Sequence, residues 1–90
     1  MTQFATRLRE LRQEKKLSMK QLAKKIGTTD GAVSNWENDV NEPKMTYIIR
    51  LAIFFNVSAD YLLGLEDETG AKTYISNSFN NFSNNGTFKM

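Results

Sequence analysis

Ninety residues carry twelve Lys+Arg against ten Asp+Glu, a formal net charge of +2, with neither histidine nor cysteine. That length supports one small domain and a tail, and the inventory excludes disulfides, thiolate metal sites and the Ser-His-Asp, Cys-His and HExxH chemistries. No apolar run approaches the ~20 residues that span a bilayer and the N-terminus lacks a secretory h-region, so the expectation is a cytoplasmic non-enzyme without membrane, metal or cofactor.

Phe4, Leu8 and Leu11 recur at i, i+4, i+7 with Ala5 beside them, which predicts an amphipathic helix over 3–15. Arg7, Arg9 and Lys16 fall on its other face. Ser18 is an N-cap for a second helix, with Leu22, Ala23 and Ile26 inward and Lys20, Lys24 and Lys25 outward. Gly27 ends it, in the position where a left-handed residue closes a helix. Thr29 then caps a third helix, with Asp30 in its first turn and Val33 and Trp36 facing inward.

Residues 38–43 form a polar turn cluster ending in the only proline, and Pro43 is placed to open a fourth helix over 44–55. Ile48, Leu51, Ala52 and Phe55 make its main stripe, while Tyr47, Ile49, Ile53 and Phe54 leave it apolar nearly all round. Such a helix is either the central core element or has a second face to bury. Ser58 caps a short fifth helix, Asp60 sits in its first turn, and Gly64 closes it before Leu65.

Composition changes at Glu66, which divides the chain into a domain over 1–66 and an Asn/Phe-rich tail over 67–90. Within the tail, Asn85-Gly86 is a β-hairpin signal, and an isolated hairpin needs a surface to dock on. Charge is also uneven. Residues 1–25 hold eight basic side chains against two glutamates, and residues 26–65 hold two against five acids. A basic end on a near-neutral chain is the footprint of a polyanion binder; the alternative is a solvated helix face balanced by Glu10 and Glu14.

Two helices joined by the short turn Gly27-Thr28-Thr29 have the geometry that lets one cross DNA while the next enters the major groove. Ala23 is small where the helices touch, and Leu22, Ile26, Val33 and Trp36 bury to hold the crossing angle. The run Leu17-Ser18-Met19-Lys20-Gln21-Leu22-Ala23-Lys24-Lys25-Ile26-Gly27-Thr28-Thr29, followed by Val33-Ser34-Asn35-Trp36-Glu37-Asn38, resembles the helix-turn-helix of the phage-repressor-like (Cro/CI, XRE) family. Phe54-Phe55-Asn56-Val57-Ser58-Ala59-Asp60-Tyr61-Leu62-Leu63-Gly64 is similar to that family's fifth-helix signature, so the likeness covers about residues 4–65.

The resemblance implies an all-α, five-helix, lambda-repressor-like domain in a sequence-specific regulator, a repressor that binds a palindromic double-stranded operator as a homodimer. Thr29, Asp30, Gly31, Ser34 and Asn35 match the groove-facing positions. Asn35 suits a bidentate bond to adenine and Asp30 suits cytosine N4, although a solvated surface amide and a helix-start carboxylate are the plainer alternatives. Gly31 offers no side chain, so readout there is apolar, shape-based or absent. Arg12 and Glu37 match a pair that forms a buried ion pair in relatives, and the spacing of Trp36 from Val33 points to core rather than base stacking.

Phosphate contacts are expected from the start of the second helix, at Ser18, Met19 and Lys20, and from Asn38 and Lys44. Two departures weaken that grip: Met19 stands where the family usually has glutamine, and Asp39-Val40 where it has glycine and a basic residue. Two-fold dimers place recognition helices ~34 Å apart. Candidate dimer surfaces are the apolar face of the fourth helix and Phe79, Phe82 and Phe88 of the tail, with docking on the same chain as the alternative. A second function class is an antitoxin-like or anti-repressor interaction module that uses these surfaces to hold another protein, such as a toxin.

Overall fold

Five helices follow one another in the described residues, 2–72 of the computed structural model: α1 Gln3–Glu14, α2 Met19–Ile26, α3 Asp30–Glu37, α4 Met45–Phe55 and α5 Ala59–Leu63. The Asn85-Gly86 hairpin signal and the tail phenylalanines lie outside those residues. Short hydroxyl side chains start four of the helices by taking up an orphan amide. Thr2 Oγ1 accepts from Ala5 N at 3.1 Å, Thr29 Oγ1 from Ala32 N at 3.1 Å and Ser58 Oγ from Tyr61 N at 2.9 Å. Ser18 forms a reciprocal capping box with Gln21, Oγ accepting from the Gln21 amide at 3.0 Å while Gln21 Oε1 accepts from the Ser18 amide at 2.8 Å.

α4 is the exception. Its N-cap is Lys44, with no side-chain cap bond, and Pro43 lies one residue further out. Lys44 is extended, with ψ at 159°, so the first helical residue is Met45 and the proline guides the approach instead of opening the helix. The opposite ends close as the sequence implies, with Gly27 at φ 79° after α2 and Gly64 at φ 88° after α5. Gly64 is doubly constrained, because a Cβ there would lie 2.6 Å from the Cβ of Gln3 on α1.

Each helix contributes one completely buried leucine or valine: Leu8, Leu22, Val33, Leu51 and Leu62. Phe4, Ile26, Phe55 and Trp36 enclose them, and the Trp36 ring lies 5.5 Å from that of Tyr47, so Trp36 is core. On α4, Leu51 and Phe55 are buried, but Met45, Ile49 and Ile53 are 76%, 50% and 74% exposed. The apolar circumference of α4 therefore reflects a second, open face.

Arginines join the helices. Arg12 grips Glu37 with two parallel bonds, Nε to Oε2 at 2.7 Å and Nη2 to Oε1 at 2.9 Å, and its Nη1 donates to the Leu17 carbonyl at 2.8 Å. The Glu37 carboxylate holds the Arg12 guanidinium above its ordinary pKa. Arg7 and Arg9, expected on the solvated face of α1, instead turn inward. Arg7 Nη1 donates to the carbonyls of Tyr61 at 2.5 Å and Glu66 at 2.6 Å, with its guanidinium 4.1 Å from the Tyr61 ring centroid. Arg9 Nη2 donates to the Glu37 carbonyl at 3.1 Å. A one-dimensional helix pattern marks these residues as polar but does not reveal acceptors lying far along the chain.

Two carboxylates fasten turns. Asp39, at a left-handed φ of 59°, accepts from the Thr2 amide at 2.7 Å and the Thr2 hydroxyl at 2.8 Å. Asp67 accepts from the Thr69 hydroxyl at 2.7 Å and from the amides of Thr69 and Ala71 at 2.9 and 3.0 Å. The turn brings Lys72 back to α5, with its Nζ 2.6 Å from Asp60 Oδ2.

Removing one partner of the Arg12–Glu37 pair strands a charge from which water is excluded. Arg12→Ala is therefore expected to cost about 3–5 kcal/mol, a fall in unfolding midpoint of at least about 12 °C by calorimetry. The double replacement Arg12→Met with Glu37→Leu is expected to cost less than Arg12→Ala alone, and a larger loss would rule out stranded charge as the cause.

Hydrogen bonds from the Thr2 hydroxyl and then its amide hold the Asp39 carboxyl below its ordinary pKa; the Thr69 hydroxyl, then the Ala71 and Thr69 amides, do so for Asp67. A folded pKa below the unfolded value gives a contribution that is complete above the unfolded value and lost as pH falls through the folded one. Thermal melts should hold level above about pH 5 and decline below about pH 4, with a shallower decline in Asp39→Asn. Parallel acid limbs in the two proteins would dismiss the Thr2–Asp39 latch.

Candidate nucleic-acid interface

The bend between α2 and α3 is built from backbone bonds and one distant cation. The Gly27 and Thr28 amides both return to the Ala23 carbonyl, the second at 2.9 Å, after which Thr29 starts α3. Arg50 reaches from α4 and donates Nη1 to the Ile26 carbonyl at 3.1 Å, satisfying an orphan acceptor of α2's last turn. Sequence reading missed Arg50, because no local pattern links it to Ile26.

α3 then has two unlike sides. Val33, Trp36 and Glu37 are buried. Thr29, Asp30, Gly31 and Asn35 are exposed and Ser34 is half-buried, so the expected base-contact residues sit together at the outward side of the helix. Thr29 is partly committed as the N-cap. At Gly31 an added Cβ would meet nothing nearer than Thr29 Oγ1 at 4.0 Å, so packing does not demand the glycine. Thr29, Gly31 and Asn35 share a surface groove with Glu42, Lys44 and Thr46 at the start of α4.

The expected phosphate contacts are less uniform. Ser18 spends both its amide and its hydroxyl in the capping box, leaving the Met19 and Lys20 amides as the anion-facing donors of α2's first turn. Lys20 and Lys44 are exposed; the Met19 side chain packs partly against the core. Asn38 turns its amide back on α3, with Nδ2 donating to the Ser34 carbonyl at 2.8 Å. Among the described residues no His, Cys, Asp or Glu group is arranged to hold a metal ion, and no helix is long and apolar enough to cross a membrane.

Known proteins share this arrangement. A family model described as helix-turn-helix matches residues 8–62. The uncharacterized HTH-type transcriptional regulator YobD of Bacillus subtilis is 39% identical over 69 residues, covering 77% of this chain and 62% of YobD. HTH-type transcriptional regulator ImmR of the same organism is 38% identical over 66 residues, 73% of this chain and 51% of ImmR. The chain thus spans between half and two thirds of these relatives' lengths.

Among solved structures, the P22 c2 repressor in complex with a synthetic operator is 32% identical with a TM-score of 0.64, covering 67% of this chain and 91% of that one. The restriction-modification controller protein C.AhdI from Aeromonas hydrophila is 31% identical with a TM-score of 0.62, covering 68% and 92%. With a matched segment running from α1 into α5 and a repressor's fold reproduced around the α2–α3 bend, the chain belongs to the helix-turn-helix family, in the phage-repressor-like (XRE) group that its motifs resemble.

Proposed function

We propose that this chain is a sequence-specific double-stranded DNA-binding transcriptional regulator, acting in the cytoplasm as a repressor that occludes a promoter by binding a palindromic operator as a homodimer. One observation carries the reading: α3 presents Thr29, Asp30, Gly31 and Asn35 outward while Val33, Trp36 and Glu37 fix its other side. A helix held that way offers its polar edge to a major groove without losing its core contacts. The P22 c2 relative, solved on an operator, supports the same use of the shared framework.

In this reading Asn35 and Asp30 contact base edges, Thr29 and Ser34 adjust to either donor or acceptor, and Gly31 leaves its base pair to be read by shape. The Met19 and Lys20 amides, the Lys20 and Lys44 ammonium groups and Asn38 meet phosphates, Asn38 by releasing its bond to Ser34. Residues 1–66 make the DNA contacts and 67–90 serve dimerisation or docking. The exposed Met45 and Ile49 supply an apolar surface for a second copy.

The exposed apolar side chains Met45, Ile49 and Ile53, together with Met19 and Asp39 at positions that weaken a phosphate grip, favour a second reading. There the fold serves as an antitoxin-like or anti-repressor module whose partner is a protein.

Selection from random duplexes at physiological salt separates the readings, since a regulator enriches one motif with a dyad and an interaction module enriches none. On the selected operator, Asn35→Ala is expected to cost about 1–3 kcal/mol and to relax a single position, measured by fluorescence anisotropy. Equal losses on operator and random DNA would remove Asn35 from base reading. Lys20→Ala should weaken both duplexes alike and reduce the log–log salt slope by about 1, while an unchanged slope would place Lys20 away from phosphate.

A further inference from the structure

A second surface lies at the C-terminal ends of α2 and α4, where Lys24, Lys25, Gly27, Arg50, Ile53 and Phe54 line a shallow groove. It shares no lining residue with the groove beside α3. Ile53 is 74% exposed and Phe54 only partly buried, so apolar area faces outward here. The charge is all of one sign. No carboxylate lines the groove, and among the described residues no ion pair engages Lys24, Lys25 or Arg50. Lys15 adds another cation from the end of α1, its Nζ 5.5 Å from the Phe54 ring centroid. Arg50 already supplies the Ile26 carbonyl with a donor, so capping α2 does not account for two further lysines.

We infer that this groove docks an acidic amphipathic helix of another protein, apolar side chains covering Ile53 and Phe54 and carboxylates facing Lys24 and Lys25. Charge complementarity selects this occupant over the others. A DNA backbone matches the lysines but brings nothing to cover Ile53. A second copy related by a two-fold axis sets Lys24 and Lys25 against like charges. The segment 73–90 of the same chain contains no Asp or Glu. The inference is independent of whether α3 reads DNA.

The test uses the full isotope-labelled chain, titrated by NMR with a synthetic amphipathic helix bearing leucines on one face and glutamates on the other. Parallel titrations use the same peptide with lysines for glutamates, and a short duplex of random sequence. The acidic peptide is expected to shift the amides of Lys25, Gly27, Ile53 and Phe54 while leaving those of Asp30 to Asn35 in place. Lys24→Glu with Lys25→Glu should weaken it on the order of tenfold, and added salt should do likewise. Ile53→Ser, a change at an exposed site, should weaken the peptide while leaving circular dichroism and the thermal unfolding midpoint unchanged. Response to the duplex in place of the peptide would make the groove a phosphate contact and overturn the inference. Equal response to the lysine peptide, or no effect of the Lys24/Lys25 reversal in a protein of unchanged circular dichroism, would overturn it too.

Discussion

The Glu37 side chain is completely closed off from water at the last turn of α3, and the placement of that helix depends on how its carboxylate is paired. Burying a carboxylate is costly by several kcal/mol, and the two-pronged grip of Arg12 does little more than repay that. What the pair supplies is register. α3 has eight residues, too few to be stable alone, and Val33 and Trp36 are its only fully buried apolar anchors. Two apolar anchors three residues apart still permit a helix to roll. A buried carboxylate that must meet a fixed guanidinium on α1 does not, because a small rotation separates both hydrogen bonds at once. The angle at which Asp30 to Asn35 leave the body is set by that restriction.

The same device recurs at the other helix ends. Arg9 donates to the Glu37 carbonyl closing α3, Arg50 to the Ile26 carbonyl closing α2, and Arg7 to the Tyr61 carbonyl near the end of α5. Each guanidinium comes from a different helix than the one whose end it meets, so one bond adds a donor to a helix-end carbonyl and fixes a crossing angle together. With Arg12 joining α1 to the Glu37 side chain of α3, all four arginines of the chain tie separate segments together, while Lys20, Lys24, Lys25 and Lys44 are exposed. The division follows from hydration. A planar, weakly hydrated guanidinium with several fixed donors tolerates partial burial, whereas a compact ammonium holds its water. The electrostatic footprint of the N-terminal third is accordingly smaller than its charge count, and it is a lysine footprint.

Helix limits were legible in the sequence wherever they depend on neighbours three or four residues away. Ser18, Thr29 and Ser58 cap, and Gly27 and Gly64 close, because those choices answer to orphan groups within the same turn. Trp36 was assignable to the core from its spacing alone. The misreadings have long-range causes: Arg7 and Arg9 look solvated until acceptors far along the chain are folded onto them. On α4 the main stripe correctly placed Leu51 and Phe55 inward, and only packing answers the question left open, by leaving Ile49 and Ile53 uncovered. The candidate site was legible as a place, through the bend at Gly27 and the resemblance. Its chemistry was less so, because the internal commitments of Ser18 and Asn38 appear only in three dimensions.

Those commitments bear on where a grip on an anionic backbone would come from. Asp39 holds a left-handed φ of 59° at a position where the family usually has glycine, a strain that two hydrogen bonds from Thr2 offset. The arrangement also keeps that carboxylate occupied with the start of α1, which limits its repulsion of a nearby phosphate without making it attractive. Ser18 is likewise spent on the chain itself, and Asn38 reaches a phosphate only by giving up its bond to Ser34. In the proposed reading the donors that need no such exchange are the two amides at the start of α2 and the exposed ammonium groups of Lys20 and Lys44, a short inventory for one module. Few phosphate contacts per copy mean a shallow salt dependence and weak non-specific residence. Affinity then has to come from joining two copies, where the second contact is made at high effective concentration. In that reading discrimination falls to the α3 edge and to dimer spacing, both of which random DNA fails to satisfy.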